Sequence, residues 1–170
     1  MGSRRLALVG GLLVALVALT ACEKVDKPTS DSTAPLLKWT VNNTSTSETK
    51  EIAGSGTIQA TVGHHFTVTL KAEDPQGIHE ITISVSTGWQ CVQGNLQKNA
   101  GPGLGAQKKQ TLEPDSQGKV LTSIVLLESV TMGPYDCQSG YQATSGASTF
   151  EGSGTNYFNG KTNGTLTITA

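Results

Sequence analysis

From Leu36 to the end of the chain, apolar and polar residues take turns, and this period of two constrains the fold more than any other feature. Leu37, Trp39 and Val41 share one parity, with Lys38, Thr40 and Asn42 on the other. A polar stretch, Asn43 to Gly56, precedes a second run, Thr57 to Val62, which Gly63 interrupts. Phe66, Val68, Leu70 and Ala72 then alternate with Thr67, Thr69 and Lys71; Ile81, Ile83 and Val85 alternate with Glu80, Thr82 and Ser84. Successive side chains of a strand point to opposite faces, so each run predicts a strand with one buried and one exposed face. Between the last two runs, Asp74-Pro75-Gln76-Gly77 is a turn in which Pro presets φ and Gly ends the reversal. No helical stripe of useful length follows the N-terminal segment.

Further along, the parity of Ile81 continues through Thr87 and Trp89 to Cys91. Residues 92–118 contain Gly101-Pro-Gly-Leu-Gly105 and Pro114-Asp-Ser-Gln-Gly118 and read as loop with at most one short strand. Val120 to Val130 is an apolar run of the kind found in a central strand, with an inward face that parity does not reveal. Tyr135, Cys137 and Tyr141 share a face on the next strand. Ser145 to Gly164 is rich in Gly, Ser, Thr and Asn and reads as an insert before the last strand, where Leu166 and Ile168 point inward. About seven strands separated by turns predict an all-β antiparallel β-sandwich. Charged residues make up only 15% of the chain, but distinct apolar runs at low net charge separate it from disordered sequences.

The first residues carry a different message. Arg4 and Arg5 precede an uncharged stretch, Leu6 to Leu19, that would make a helix about 21 Å long, too short to span a bilayer comfortably. It has the form of a signal-peptide core. Leu19-Thr20-Ala21-Cys22 resembles the lipobox of bacterial lipoproteins, where signal peptidase II cuts before a cysteine bearing a diacylglyceryl group. The resemblance implies a signal peptide over 1–21 and a fatty-acylated Cys22, with palmitate-type chains anchoring the protein to membrane. Residues 22–35 read as a flexible tether, able to reach about 45 Å when extended. Residues 36–170 form the sandwich domain. Glu23, rather than Asp, follows the cysteine. By the same resemblance, the protein is exported to the cell envelope, to the outer membrane in a diderm or the outer face of the plasma membrane in a monoderm. Loss of Arg4 and Arg5 leaves ten Lys, no Arg and 13 acidic residues, a net charge of −3. A domain without Arg and acidic overall argues against nucleic acid as a partner.

Within the domain, Thr61-Val-Gly63, Phe66-Thr-Val-Thr-Leu70, Ala72-Glu-Asp-Pro-Gln-Gly77 and Ile81-Thr-Ile-Ser-Val85 resemble the front half of bacterial immunoglobulin-like domains. The resemblance implies an immunoglobulin-like sandwich, a fold used for spacing, adhesion and carbohydrate or protein binding. The two cysteines left after Cys22, Cys91 and Cys137, read as one disulfide in an exported chain. Closing the loop between them is worth about 4 kcal/mol at most on the loop-entropy view. A metal or redox pair is the alternative, without a Cys-x-x-Cys or a neighbouring His to support it. Trp89 and Tyr135, each two residues before a cysteine, read as packing beside the bridge.

Residues for chemistry are few. His64 and His65 are adjacent in sequence, so their side chains diverge, and at most one can share a site with His79. Zinc held by His79, one of that pair, and Glu80 or Glu73 is the sharper reading; solvated polar positions are the plainer one. Three histidines are too few for a copper–zinc dismutase site. Glu73 and Asp74 beside a Gly turn suggest calcium, but calcium takes six or more oxygens, and Asp74 also serves simply to cap the turn. No nucleophile elbow and no phosphate loop is present. The expectation is therefore no metal, no cofactor and no catalytic residue. The function expected is a membrane-anchored, non-enzymatic binding or spacer module with an envelope protein or glycan as partner. The alternative is an envelope enzyme or enzyme inhibitor with a dispersed site. The inserts Val92 to Lys119 and Ser145 to Gly164 are the candidate binding loops.

Overall fold

A computed structural model describes residues 23–88, 90–99, 106–132, 139–143 and 146–170. Cys22 with the rest of the lipobox, Trp89, Tyr135 and Cys137 lie outside the described residues. Within them the protein is an all-β sandwich without helix. The front sheet has four antiparallel strands in the order β11 (Ser123–Thr131), β5 (His65–Glu73), β2 (Leu36–Asn43) and β3 (Glu48–Ala53). The back sheet has five, in the order β4 (Gly56–Gln59), β14 (Lys161–Thr169), β13 (Ala147–Asn156), β6 (Ile78–Thr87) and β9 (Ala106–Thr111). Only β4 and β14 of that sheet run parallel. A small sheet of β12 (Gln142–Ala143), β7 (Gln90–Gln93) and β8 (Leu96–Asn99) stands apart, and β1 (Lys24–Asp26) pairs with β10 (Lys119–Leu121).

The alternating runs bury the faces their parity indicates. Leu37, Trp39 and Val41 from β2, Phe66, Val68, Leu70 and Ala72 from β5, and Leu166 and Ile168 from β14 all face the core. Ile81 and Ile83 join them from β6, while Val85 is only partly buried. Among the described residues Trp39 is the largest fully buried side chain, and it meets Phe150 of β13 edge-on, with ring centroids 6.5 Å apart. Its indole N–H donates to the Gly54 carbonyl at 2.7 Å, so the one polar atom of the ring is satisfied where water is excluded.

Three strands of the main sheets lie in stretches that read as polar or loop. β3 occupies part of Asn43 to Gly56; as a charged edge strand it buries little, and Ile52 alone packs on the core. β9, within 92–118, is the Lys-bearing edge of the back sheet. β13 corrects the reading of Ser145 to Gly164 as an insert, because it runs between β14 and β6 in the back sheet. Its inward positions include Phe150, Gly152 and Gly154. A Cβ on Gly152 would lie 2.6 Å from Leu70 Cδ2 and 2.9 Å from two Trp39 ring carbons, so the bulk opposite leaves room only for glycine. The run Val120 to Val130 also needs correction. It divides into β10 and β11, and β11 is an edge strand, half-exposed at Val125 and Leu127. Lys108 of β9 reaches that edge, donating to the Leu127 carbonyl at 2.8 Å and pairing with Glu128 at 3.0 Å.

Residues 22–35 read as a free tether, yet from Glu23 onward the chain is fastened to the sandwich. β1 pairs with β10 in the register Lys24↔Leu121, Val25↔Val120 and Asp26↔Lys119. Both the backbone N–H and the hydroxyl of Thr122 donate to the Glu23 carbonyl, at 3.0 and 2.9 Å. Lys24 pairs with Asp115 at 3.2 Å, and Pro35 is buried. Val25 between charged neighbours is a single strand-like alternation, too short to stand out in a polar stretch.

Candidate functional site

The fastened segment, the Asp74 turn and the β13–β14 turn meet at one end of the sandwich. Asp74 is buried, at 2% exposure. Its N–H donates to the Thr122 carbonyl at 2.9 Å, its Oδ1 accepts from Gln76 N–H at 2.8 Å, and its carbonyl accepts from Gly77 N–H at 3.1 Å. Gly77 takes φ +109°, and a Cβ there would strike Val120, so glycine is required twice over. Asp74 Oδ2 is buried without a hydrogen-bond partner. Burial pushes the Asp74 carboxyl above the usual carboxylate range; backbone bonds from Gln76 and Gly77 oppose this, and the charge of Asp31 adds to it.

Asn156 organises the other side of this end. It is 2% exposed, and its amide donates to Asp31 Oδ2 at 2.8 Å and to the Thr33 carbonyl, while its Oδ1 accepts from Phe158 and Gly160 N–H at 2.9 and 2.8 Å. One buried amide therefore ties the N-terminal strap to the β13–β14 turn. Asn159 within that turn takes φ 66°, and Asn159-Gly160 is a hairpin signal inside a stretch whose composition reads as an insert. Tyr157 donates to the Leu112 carbonyl at 3.0 Å, meets the His79 ring at a 44° tilt with centroids 4.9 Å apart, and has Lys27 of the strap 4.8 Å from its ring centroid.

The residues singled out for metal chemistry do not converge. His64, just before β5, bonds to Asn43 at 3.0 Å, and His65, its first residue, to Thr131 at 2.8 Å. His79 lies past the other end of that strand, beside the Leu112 carbonyl at 3.1 Å. The length of β5 is about 27 Å, which separates the histidines far beyond a shared ion. Glu73 faces outward in an ion pair with Lys71, whereas Asp74 turns inward, so these adjacent carboxylates do not form one oxygen cage. Among the described residues, no group of three or more His, Cys, Asp and Glu could hold a metal ion. Cys91 is buried on β7, opposite Ala143 of β12 and Lys98 of β8.

A cleft of about 530 Å³ opens at the fastened end, with Glu23, Val25, Leu36, Glu73, Pro75 and Thr122 among its lining. Leu36 is 73% exposed there. The candidate insert Val92 to Lys119 proves composite: β7 and β8 make a hairpin in the small separate sheet, while β9 belongs to the sandwich. Comparison with family models, curated proteins and solved structures finds no match for this chain.

Proposed function

We propose that the protein is an exported lipoprotein, acylated on Cys22, whose sandwich serves as a non-enzymatic binding module of the cell envelope. The observation that carries this reading is the order Arg4-Arg5, Leu6 to Leu19 and Leu19-Thr20-Ala21-Cys22, directly ahead of a β-sandwich. The Cys91–Cys137 disulfide belongs to the same proposal. Cys91 is buried in a short-stranded sheet with little core of its own, the setting in which a covalent closure adds most. The β7–β8 hairpin is the favoured recognition surface, because it is hydrogen-bonded to neither main sheet and, among the described residues, only Cys91 of it joins the core, which leaves its turn free to vary.

The test uses the cleaved chain with Cys22→Ser as soluble, oxidised bait against solubilised envelope protein and glycan fractions. A second bait replaces residues 94–105 by a short Gly-Ser linker, leaving Cys91 and β9 in place. A partner kept by the first bait and lost by the second supports the binding module and its surface. No specific partner for either bait leaves the module a spacer.

A further inference from the structure

We propose that the strap holds the Leu36 end of the sandwich directly against the lipid surface instead of lifting the domain away from it. This inference rests on the lipoprotein reading of Cys22. It begins from the bonds on Glu23, whose carbonyl accepts from both the backbone and the hydroxyl of Thr122. Cys22 is the adjoining residue, so the acyl anchor attaches one Cα step, about 3.8 Å, from a residue fixed in the fold. The 22–35 segment therefore supplies almost none of the reach its length suggests.

The surface beside that anchor suits a bilayer. Leu37, Trp39 and Val41 face inward, so Leu36 and Lys38 face out; Ile124 faces inward, so Val125 and Leu127 face out. Cross-strand register pairs Leu36 with Glu73 and Lys38 with Lys71, and on the far side of β5 pairs Glu73 with Ser123 and Lys71 with Val125, so Lys71 and Glu73 stand between Leu36 and Val125. Leu36, Val125 and Leu127 are 73%, 45% and 52% exposed, three of the few large apolar side chains left open among the described residues. The lysines of this face, Lys38 paired with Glu51 and Lys71 paired with Glu73, carry aliphatic stems that can lie on apolar surface while the ion pairs stay at headgroup level. The cleft that contains Glu23 and Val25 also contains Leu36 and Lys71, so the residue that follows the anchor sits beside this patch. A net charge of −3 on the cleaved chain gives no general attraction to anionic lipid, so the contact relies on the short leash and the apolar side chains.

Methyl NMR on the cleaved, oxidised chain tests this, with the Cys22 thiol coupled to a maleimide lipid in phosphatidylcholine nanodiscs that contain a gadolinium-headgroup lipid. Coupling in vitro makes the result independent of whether cells acylate Cys22, which fatty-acid incorporation into the exported protein decides separately. Leu36, Val25 and Val125 methyl signals should lose at least half their intensity. Val62, 44% exposed at the opposite end next to Gly63, should keep most of its own. Val25→Pro, which cannot donate to the β1–β10 ladder, should free the leash and abolish the difference. Equal loss at Leu36 and Val62 in the unsubstituted chain, or no loss at either, would overturn the proposal.

Discussion

Strands β5 and β13 line the same core from opposite sheets and fill it by opposite means. β5 brings its own bulk, with Phe66, Val68, Leu70 and Ala72 on every second position. β13 brings Phe150 but then Gly152 and Gly154, and the space above them is occupied by Trp39, Leu70 and Leu37 from the front sheet. Sheets in a sandwich pack at a nearly constant separation, so one oversized side chain must be matched by a small one across from it. A buried face can therefore be built of glycine when its partner supplies the volume.

The largest effect expected from breaking this match is Trp39→Ala. It removes the biggest buried side chain among the described residues and leaves a cavity over Gly152, so chemical denaturation should show a loss of about 3–5 kcal/mol. Gly152→Ala attacks from the other side. Its new methyl meets Leu70 and Trp39 well inside contact distance, and a loss of about 1–3 kcal/mol should follow. The same change in a Trp39→Leu background should cost clearly less, because the ring carbons it strikes are gone; equal costs in both backgrounds would mean that the two residues are not coupled. Gly154→Ala sharpens the contrast, since its Cβ would meet Leu37 and Ala72 at 3.2 and 3.3 Å, and its cost should stay below about 1 kcal/mol.

The smallest effect concerns the ends of these strands, where β5 runs into the buried Asp74. Burial raises its pKa in the folded state, so its favourable contribution is complete below the ordinary carboxylate range and is lost as pH rises through the folded value. Asp74→Asn keeps an oxygen for the Gln76 N–H and does not titrate. The stability of this variant relative to the parent should therefore climb as pH increases across that window and then level off. A difference independent of pH would show that the Asp74 carboxyl is not perturbed.

These features explain what could be read from the sequence. β2, β5, β6 and β14 were readable because each carries large apolar residues at period two, and parity alone then names the buried face. β13 was not, because glycine is both a core residue here and the commonest mark of a loop. β3 and β9 were hidden because edge strands carry charge where central strands carry Val or Ile. The divergence of His64 from His65 followed from strand geometry, whereas the role of Asn156 depends on bonds to Asp31 and Thr33 across more than a hundred residues of chain, which no local pattern records. The fastening of the strap is of the same kind. Thr122 and Glu23 are remote in sequence, and nothing in either residue announces the other.

The central claim is that this sandwich is anchored through a lipid on Cys22, and mass spectrometry of the protein extracted from the membrane fraction tests it most directly. The account predicts an N-terminal peptide that begins at Cys22 and carries the mass of a diacylglyceryl group, with the Cys22→Ser protein lacking that mass. An N-terminal peptide that begins elsewhere, or an unmodified Cys22, would contradict it.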